Sequence, residues 1–533
     1  MNDLITTKEV IPFLGITSLC SLLSCQSQGE KTEVKNPNIV IILADDMGYG
    51  DVSFNNPYAR TKTPNIDRLA ENGLCFTNAH AAGAVSIPSR YGLMTGRYFF
   101  RTESRDSYWG YLSPLIDPGR ETIGTLMQKA GYSTACIGKW HLGLDWSRKD
   151  EMQPLILDRR TIGYTNTDFS VPVKNSPNDC GFDYSFILPA SLDMPPYVFV
   201  RNGEVIDPDI ILTADAYAHS QETTQFAWDR RNVNENDIYW DRGVWWRNGE
   251  MSRSFKVEKC FDMIVEEGLS FIRKHVVTDK DKPFMLYLPL TGPHTPWMPN
   301  DNFKNTSEMG MYGDFIAQID NVVYQVNELL IQLGVDKNTM IIFASDNGSP
   351  WQEEDIQGYG HMSNRPWRGQ KGDAWEGGHR IPLIIKWPAK IKKAQTYSHT
   401  LGLIDVMATF ADITNQTISS GYGEDSFSFQ RVLEGDLSKP VRDHLINISS
   451  SGRLAITVGE WKYIDGLGSA GFSAPNRVVP LVNGPTGQLY NLKEDPVEST
   501  NRFFVNKEKA DELSTLMKNL VDQGYTRNVK SKE

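Results

Sequence analysis

Five stretches of this chain have the length of buried strands, and each breaks off at polar or charged residues. Asn38-Ile39-Val40-Ile41-Ile42-Leu43 is apolar almost throughout, and Tyr132 to Ile137, Phe284 to Leu288, Met340 to Ala344 and Ile381 to Lys386 follow it. A continuous apolar run suits a strand covered on both faces, whereas a strand with one wet face would alternate. Helical spacing fills the intervals at Thr63 to Asn72, which stops at Gly73, and at Glu121 to Ala130, Phe255 to His275 and Tyr312 to Leu333. Strands alternating with helices predict an α/β fold: a large, mostly parallel sheet sandwiched by helices. Asp45 and Asp46, Lys139 and His141, His294, and Asp346 and Asn347 follow the strands closely. Open α/β sheets bind ligands beyond the carboxyl ends of their strands, so these distant residues are expected to share one crevice.

The pattern changes after Leu401 to Ile413, which reads as a helix. Arg453 to Ile464 alternates like an antiparallel strand pair, Gln488 to Leu492 is a short strand, and Glu508 to Gln523 is a closing helix. A boundary near Pro440 divides a main domain, 37–439, from a smaller C-terminal α+β subdomain, 440–533.

The amino end reads as an export signal over residues 1–25. Val10 to Leu23 is apolar but too short to span a bilayer, and Leu22-Leu23-Ser24-Cys25 resembles a bacterial lipobox. On that reading Cys25 is lipidated and residues 26–36 form a tether. The protein is then exported to the periplasm or cell surface, as an outer-membrane lipoprotein of a Gram-negative bacterium. Lys and Arg number 54 against 66 Asp and Glu, and the net charge of −12 argues against nucleic acid as a partner. Cys75, Cys136, Cys180 and Cys260 lack CxxC spacing, so no zinc or redox motif is present and buried thiols are expected.

Three groups of residues carry candidate chemistry. In Ala84-Val85-Ser86-Ile87-Pro88-Ser89-Arg90, Pro88 suits a first helical turn, which places Ser86 just ahead of a helix N-terminus. Free backbone N–H groups there favour an anion, and Arg90, one turn on, can reach back toward it. The doublets Asp45-Asp46 and Asp346-Asn347 end two buried strands. Neighbouring carboxylates repel unless a cation neutralises them, and all-oxygen donors suit Ca²⁺ or Mg²⁺ over zinc. The third group, Lys139 and His141, His294, and Lys371 in Arg368-Gly369-Gln370-Lys371-Gly372, would by default be surface or structural residues and is singled out only by the family resemblance that follows.

Ser-Ile-Pro-Ser-Arg from Ser86 with Thr95-Gly96-Arg97 resembles the sulfatase signature. Arg368-Gly369-Gln370-Lys371 with Trp375-Glu376-Gly377-Gly378-His379-Arg380-Ile381-Pro382 resembles the second signature of that family. With both acidic doublets, the resemblance covers roughly residues 36 to 415. It implies that Ser86 is oxidised to formylglycine (3-oxoalanine) by a radical S-adenosylmethionine maturase. It also implies that Asp45, Asp46, Asp346 and Asn347 hold one Ca²⁺, which contacts the oxygen of residue 86. One hydroxyl of the hydrated aldehyde would attack the sulfur of a sulfated carbohydrate, with Asp346 assisting. Lys139, Lys371 and Arg90 would stabilise charge, His294 would protonate the leaving alkoxide, and His141 would help release sulfate. Ser191 lies where the family places a hydroxyl near the modified residue. The alternatives are a phosphate mono- or diester hydrolase of the alkaline phosphatase superfamily and a catalytically dead glycan-binding protein. The stretch holding Trp228, Tyr239, Trp240, Trp245 and Trp246 among Arg230, Arg231, Arg242 and Arg247 is either a pocket wall or a structural cover.

Overall fold

Asn38–Ala44 lies inside a ten-stranded sheet, with Thr339–Ser345 on one side and Phe284–Pro289 on the other, both parallel to it. The computed structural model describes residues 36–103, 109–157, 163–216, 247 and 249–527. The export signal with Cys25 and the tether up to residue 35 lie outside the described residues. So do Trp228, Arg230, Arg231, Tyr239, Trp240, Arg242, Trp245 and Trp246.

The parallel block continues through Ser133–Lys139 to Tyr184–Leu188. Short antiparallel strands, Val200–Arg201 and Glu204–Val205, close that edge. On the other side the expected strand at Ile381 to Lys386 forms as Leu383–Lys386 but runs antiparallel to Thr339–Ser345. An apolar run is the same read in either direction, so its sequence pattern carries no sign of polarity. Leu74–Phe76 and Gln395–Tyr397 complete the sheet.

Successive side chains of Asn38–Ala44 point to opposite faces, and the structure uses both. Ile39, Ile41 and Leu43 join a core packed with residues of helices Ser86–Thr95, Ile123–Lys129 and Val406–Ile413. Val40, Ile42 and Ala44 join the opposite core, with residues of Pro64–Glu71, Val257–Thr278 and Gly310–Gln332. Each fully buried Ile or Leu contributes about 1.5–3 kcal/mol, so the central strand is anchored from two sides. The helix expected over Leu401 to Ile413 is shorter: Leu401–Gly402 pairs with Ala79–His80, and the α-helix starts at Val406. Asp405 accounts for the delayed start, because it accepts from the Gly402 N–H at 2.8 Å and pairs with Arg442.

A second, four-stranded antiparallel sheet runs His444–Ile448, Leu454–Val458, Trp461–Ile464, Gln488–Asn491. Ile446, Ile456, Tyr463 and Leu489 pack against Leu513, Met517 and Leu520 of helix Lys507–Asp522, and against Ala82, Tyr98 and Ile404 of the larger region. Ala455, Ile464 and Tyr490 pack instead on Ala374 and Trp375. The small sheet therefore touches chain on both sides of its plane, and the described residues form one compact unit. Among the described residues no helix is long and apolar enough to cross a membrane.

Candidate active site

The five central parallel strands each deliver chemistry just past, or at, their carboxyl ends. Asn38–Ala44 leads to Asp45 and Asp46, and Thr339–Ser345 to Asp346 and Asn347. Ser133–Lys139 ends on Lys139, with His141 next. Phe284–Pro289 leads to His294, and Tyr184–Leu188 to Ser191 and Asp193. Asp46 and His141 hold φ of 71° and 56°, a left-handed backbone uncommon outside glycine. Such conformations persist where surrounding structure imposes them, and here both occur at the strand ends that carry functional groups.

Ser86 is the first residue of helix Ser86–Thr95, not the one before it, with extended Val85 as N-cap and no side chain capping the free N–H groups. Its Oγ lies 3.2 Å from Asp45 Oδ1 and 3.1 Å from Lys139 Nζ. Arg90 turns back one helical turn on, donating from Nε and Nη2 to Asp346 Oδ2 at 3.0 and 2.8 Å. The Lys371 segment is stitched across the site by its backbone: Lys371 N–H donates to Ser349 O and Gly372 N–H to Ala84 O.

Asp45, Asp46 and Asp346 bring carboxylate oxygens within 4.8 Å of one another, all buried. Each has a cation: Lys139 on Asp45 at 2.7 Å, Lys371 on Asp46 at 2.7 Å and Arg90 on Asp346 at 2.8 Å. Burial works to raise the Asp45 carboxyl, yet Lys139, His294 and Arg90 together hold it below its ordinary value. Burial likewise pulls Lys371 down, but Asp46 and Asp45 outweigh it and the amine ends above its usual range. Three carboxylates against three cations leave no formal excess charge. A divalent cation added to this set would make it net positive, which suits an anionic ester.

The oxygens fit such an ion. Asn347 Nδ2 donates to Asp46 Oδ1 at 2.7 Å and to Gly348 O at 2.9 Å, leaving Asn347 Oδ1 buried with no hydrogen-bond partner. An unpaired buried carbonyl beside three carboxylates needs an explanation, and a hard cation supplies one.

The histidines differ. His294 Nδ1 faces Thr295 O at 2.7 Å, so it carries the proton, and Nε2 faces Asp46 Oδ2 at 3.6 Å. His141 is buried, its Nδ1 unpaired; burial, then Lys139 and Arg90, push it well below the usual imidazole range, so it is neutral at pH 7.

A cavity of about 610 Å³, within the common range for ligand sites, opens over Asp46, Ser86, His141, His294 and Lys371. Ser191, expected near the modified residue, is fully buried with Oγ unpaired and does not line it. Asp193, two residues on, does line it, ion-paired to Arg247 and 3.8 Å from His294 Nδ1. Sequence reasoning missed Asp193, Trp109, Trp297 and Phe472 as lining residues. For Asp193 the signal is an acid shortly after the apolar run Tyr184–Leu188, a strand that sequence reasoning also missed.

Another buried group mimics a metal site. His80, Glu376 and His379 also bring ligand atoms within 4.8 Å. His80 Nδ1 and His379 Nδ1 are 2.9 Å apart, and Lys462 Nζ sits 2.9 Å from Glu376 Oε1, 3.2 Å from His379 Nε2 and 3.0 Å from Glu498 Oε1. The ammonium already holds the central position.

Residues 37–416 match the family model described as Sulfatase. The chain is 33% identical to an N-acetylgalactosamine-6-O-sulfatase of Bacteroides thetaiotaomicron over 98% of this chain and 99% of that protein. It is 28% identical to human steryl-sulfatase over 83% and 76% of the two chains. A solved Bacteroides thetaiotaomicron sulfatase, from work on the metabolism of multiple glycosaminoglycans, superposes with a TM-score of 0.75. The identity is 32%, over 91% of this chain and 99% of that one.

Proposed function

The chain belongs to the sulfatase family and is a sulfuric ester hydrolase, and we propose that it removes sulfate from a glycan through a formylglycine made from Ser86 and a bound Ca²⁺. The observation that carries this reading is the placement of Ser86 Oγ between Asp45 and Lys139 at a cavity wall, beside three neutralised carboxylates. Asp45, Asp46, Asp346 and Asn347 are the residues to hold the ion. When both are present, the matured residue 86 supplies the nucleophile and the ion withdraws charge from oxygens near it.

This chain's own side chains do the rest. Lys139, Lys371 and Arg90 are pre-positioned by their carboxylate partners and need little rearrangement to meet developing negative charge on sulfuryl oxygens. His294, with Nδ1–H fixed on Thr295 O and Nε2 facing the Asp46 carboxylate, would in its imidazolium form give the Nε2 proton to a leaving alkoxide. His141 lines the cavity with Nδ1 unpaired, placed to take the proton of the residue 86 hydroxyl as sulfate departs. Asp193 and Arg247 give the cavity a polar wall suited to sugar hydroxyls.

N-acetylgalactosamine 6-sulfate is the first substrate to test, given the relative that spans nearly the whole chain. The apolar run from Val10, ending in Leu22-Leu23-Ser24-Cys25, supports export with lipidation at Cys25, and a serine at position 86 supports maturation by a radical S-adenosylmethionine enzyme. Mass spectrometry of the peptide holding Ser86, after co-expression with such a maturase, should show the loss of two hydrogens. A panel of sulfated mono- and disaccharides should then be desulfated by that preparation. An unmodified Ser86 together with full turnover would refute the mechanism.

A further inference from the structure

Phe472 comes from the loop joining Trp461–Ile464 to Gln488–Asn491 in the small sheet, yet it lines the cavity above Ser86. Residues on the cavity floor are almost entirely buried, Ser86 at 4% and Asp46 at 1%, whereas Phe472 is 56% exposed and so stands at the mouth.

The ring is held in place from below. A β-carbon built on Gly372, which has φ of 89°, would meet Cγ, Cδ1 and Cδ2 of Phe472 at the same 3.1 Å. Equal distances to three ring atoms put that point over the ring centre, so the phenyl lies face-on over a glycine next to Lys371. Its other face is left outward. The backbone beneath is fixed as well: buried Asp373 accepts from the N–H of Phe472 at 2.8 Å and of Ser473 at 3.0 Å, and Gln370 donates to Ser473 Oγ at 3.2 Å. The other cavity aromatics are already engaged, Trp109 under the Arg247 guanidinium at 5.4 Å and Trp297 against Tyr312 at 5.3 Å. Among the described residues this aromatic face is left more than half exposed, at the cavity and next to the segment that carries Lys371.

The geometry points to Phe472 as a specificity-determining residue, a stacking platform at the cavity mouth for the sugar next to the sulfated one. This rests on the sulfated-glycan reading above. The floor takes the ester and its own sugar among Asp193, Arg247 and His294. The apolar face of the following ring then covers the phenyl, as sugar C–H faces and aromatic rings favour.

The probes are 6-O-sulfated N-acetylgalactosamine and a disaccharide carrying it. Affinities are measured on the chain with unmodified Ser86, and kcat/KM on the matured chain. Phe472→Ala should reduce the disaccharide-to-monosaccharide ratio about tenfold in both measurements, or about 1.4 kcal/mol. Phe472→Tyr and Phe472→Trp should keep the ratio near that of the parent. An unchanged ratio in Phe472→Ala, or equal losses on the two sugars, would overturn the platform while leaving the sulfatase reading intact. If the matured parent turns over neither sugar but the binding ratio still falls in Phe472→Ala, the reading of this sugar as the substrate fails and the platform stands. If the parent binds neither sugar, both fail.

Discussion

Two of the buried charged clusters among the described residues are built from similar materials and arranged to opposite effect. Around Asp45, Asp46 and Asp346, three cations balance three carboxylates, one carbonyl oxygen is left over, and a cavity opens on top. Around Glu376 and Glu498, Lys462 fills the middle, two histidines pair with each other, and every one of these side chains is fully buried. Buried charge does not itself mark a reactive site. Each holds a buried oxygen without a hydrogen-bond partner, but Glu498 Oε1 has the Lys462 ammonium at 3.0 Å, so what separates the two is an acceptor that no cation meets, Asn347 Oδ1, plus a way in.

The largest test of that contrast is Ser86→Ala, which should lower turnover by at least about 10⁴-fold, as loss of a nucleophile does. Stability should change by only about 1 kcal/mol, the worth of the hydroxyl's contacts. Parallel assays and urea unfolding of the variant check both halves. Lysine replacements should divide the clusters next. Lys462→Met leaves buried Glu498 without a cation and Glu376 with Arg380 alone, and should cost about 3–5 kcal/mol in unfolding free energy. Lys371→Met, beside the cavity, should instead reduce kcat/KM about 10²–10³-fold. A stable Lys462→Met protein would break the comparison.

Ion dependence comes third. Chelation should lower both activity and melting temperature and Ca²⁺ should restore them, with a stabilisation of about 2.7 kcal/mol at a hundredfold excess over Kd. Asp45→Asn should abolish that response, and His379→Gln, in the lysine-filled cluster, should keep it. Differential scanning fluorimetry across a Ca²⁺ titration distinguishes them.

The smallest effect is a pH slope. Burial pushes His80 down to about 3, below its ordinary 6.5, and His379 well below the same value. Between those limits the unfolded chain binds more protons, so stability is fully present above pH 6.5 and declines as the pH falls toward 3. Each histidine contributes about 1.4 kcal/mol per pH unit within its window. Glu498, raised by burial to about 7 from 4.5, acts oppositely between those two values. The decline should therefore steepen below pH 4.5. His80→Asn should flatten it, as urea midpoints at pH 4, 5 and 6 would show.

Much of the site was legible because its residues sit next to strong local signals. The runs Asn38 to Leu43 and Met340 to Ala344 announce strands, and Asp45-Asp46 and Asp346-Asn347 follow them directly. The direction of Leu383–Lys386 was not legible, since pairing is decided by the neighbours and not by the run itself. Nor were Phe472 and Lys462, whose roles come from contacts across about a hundred residues of chain, with Gly372 and with Glu376. Phe472 reads as one more loop aromatic until the glycine beneath it is known. Ser191 shows the converse limit: position in the chain gives the neighbourhood but not the exposure, and Ser191 is fully buried while Asp193, two residues on, lines the cavity.

The three-against-three balance around Asp45, Asp46 and Asp346 also bears on the order of assembly. Because an ammonium or guanidinium group already answers each acid, the polypeptide can reach its compact form in ion-free surroundings and load the metal later. Arrival of the ion would then loosen each lysine from its acid, so that filling the site and readying its cations for an incoming anion become a single event.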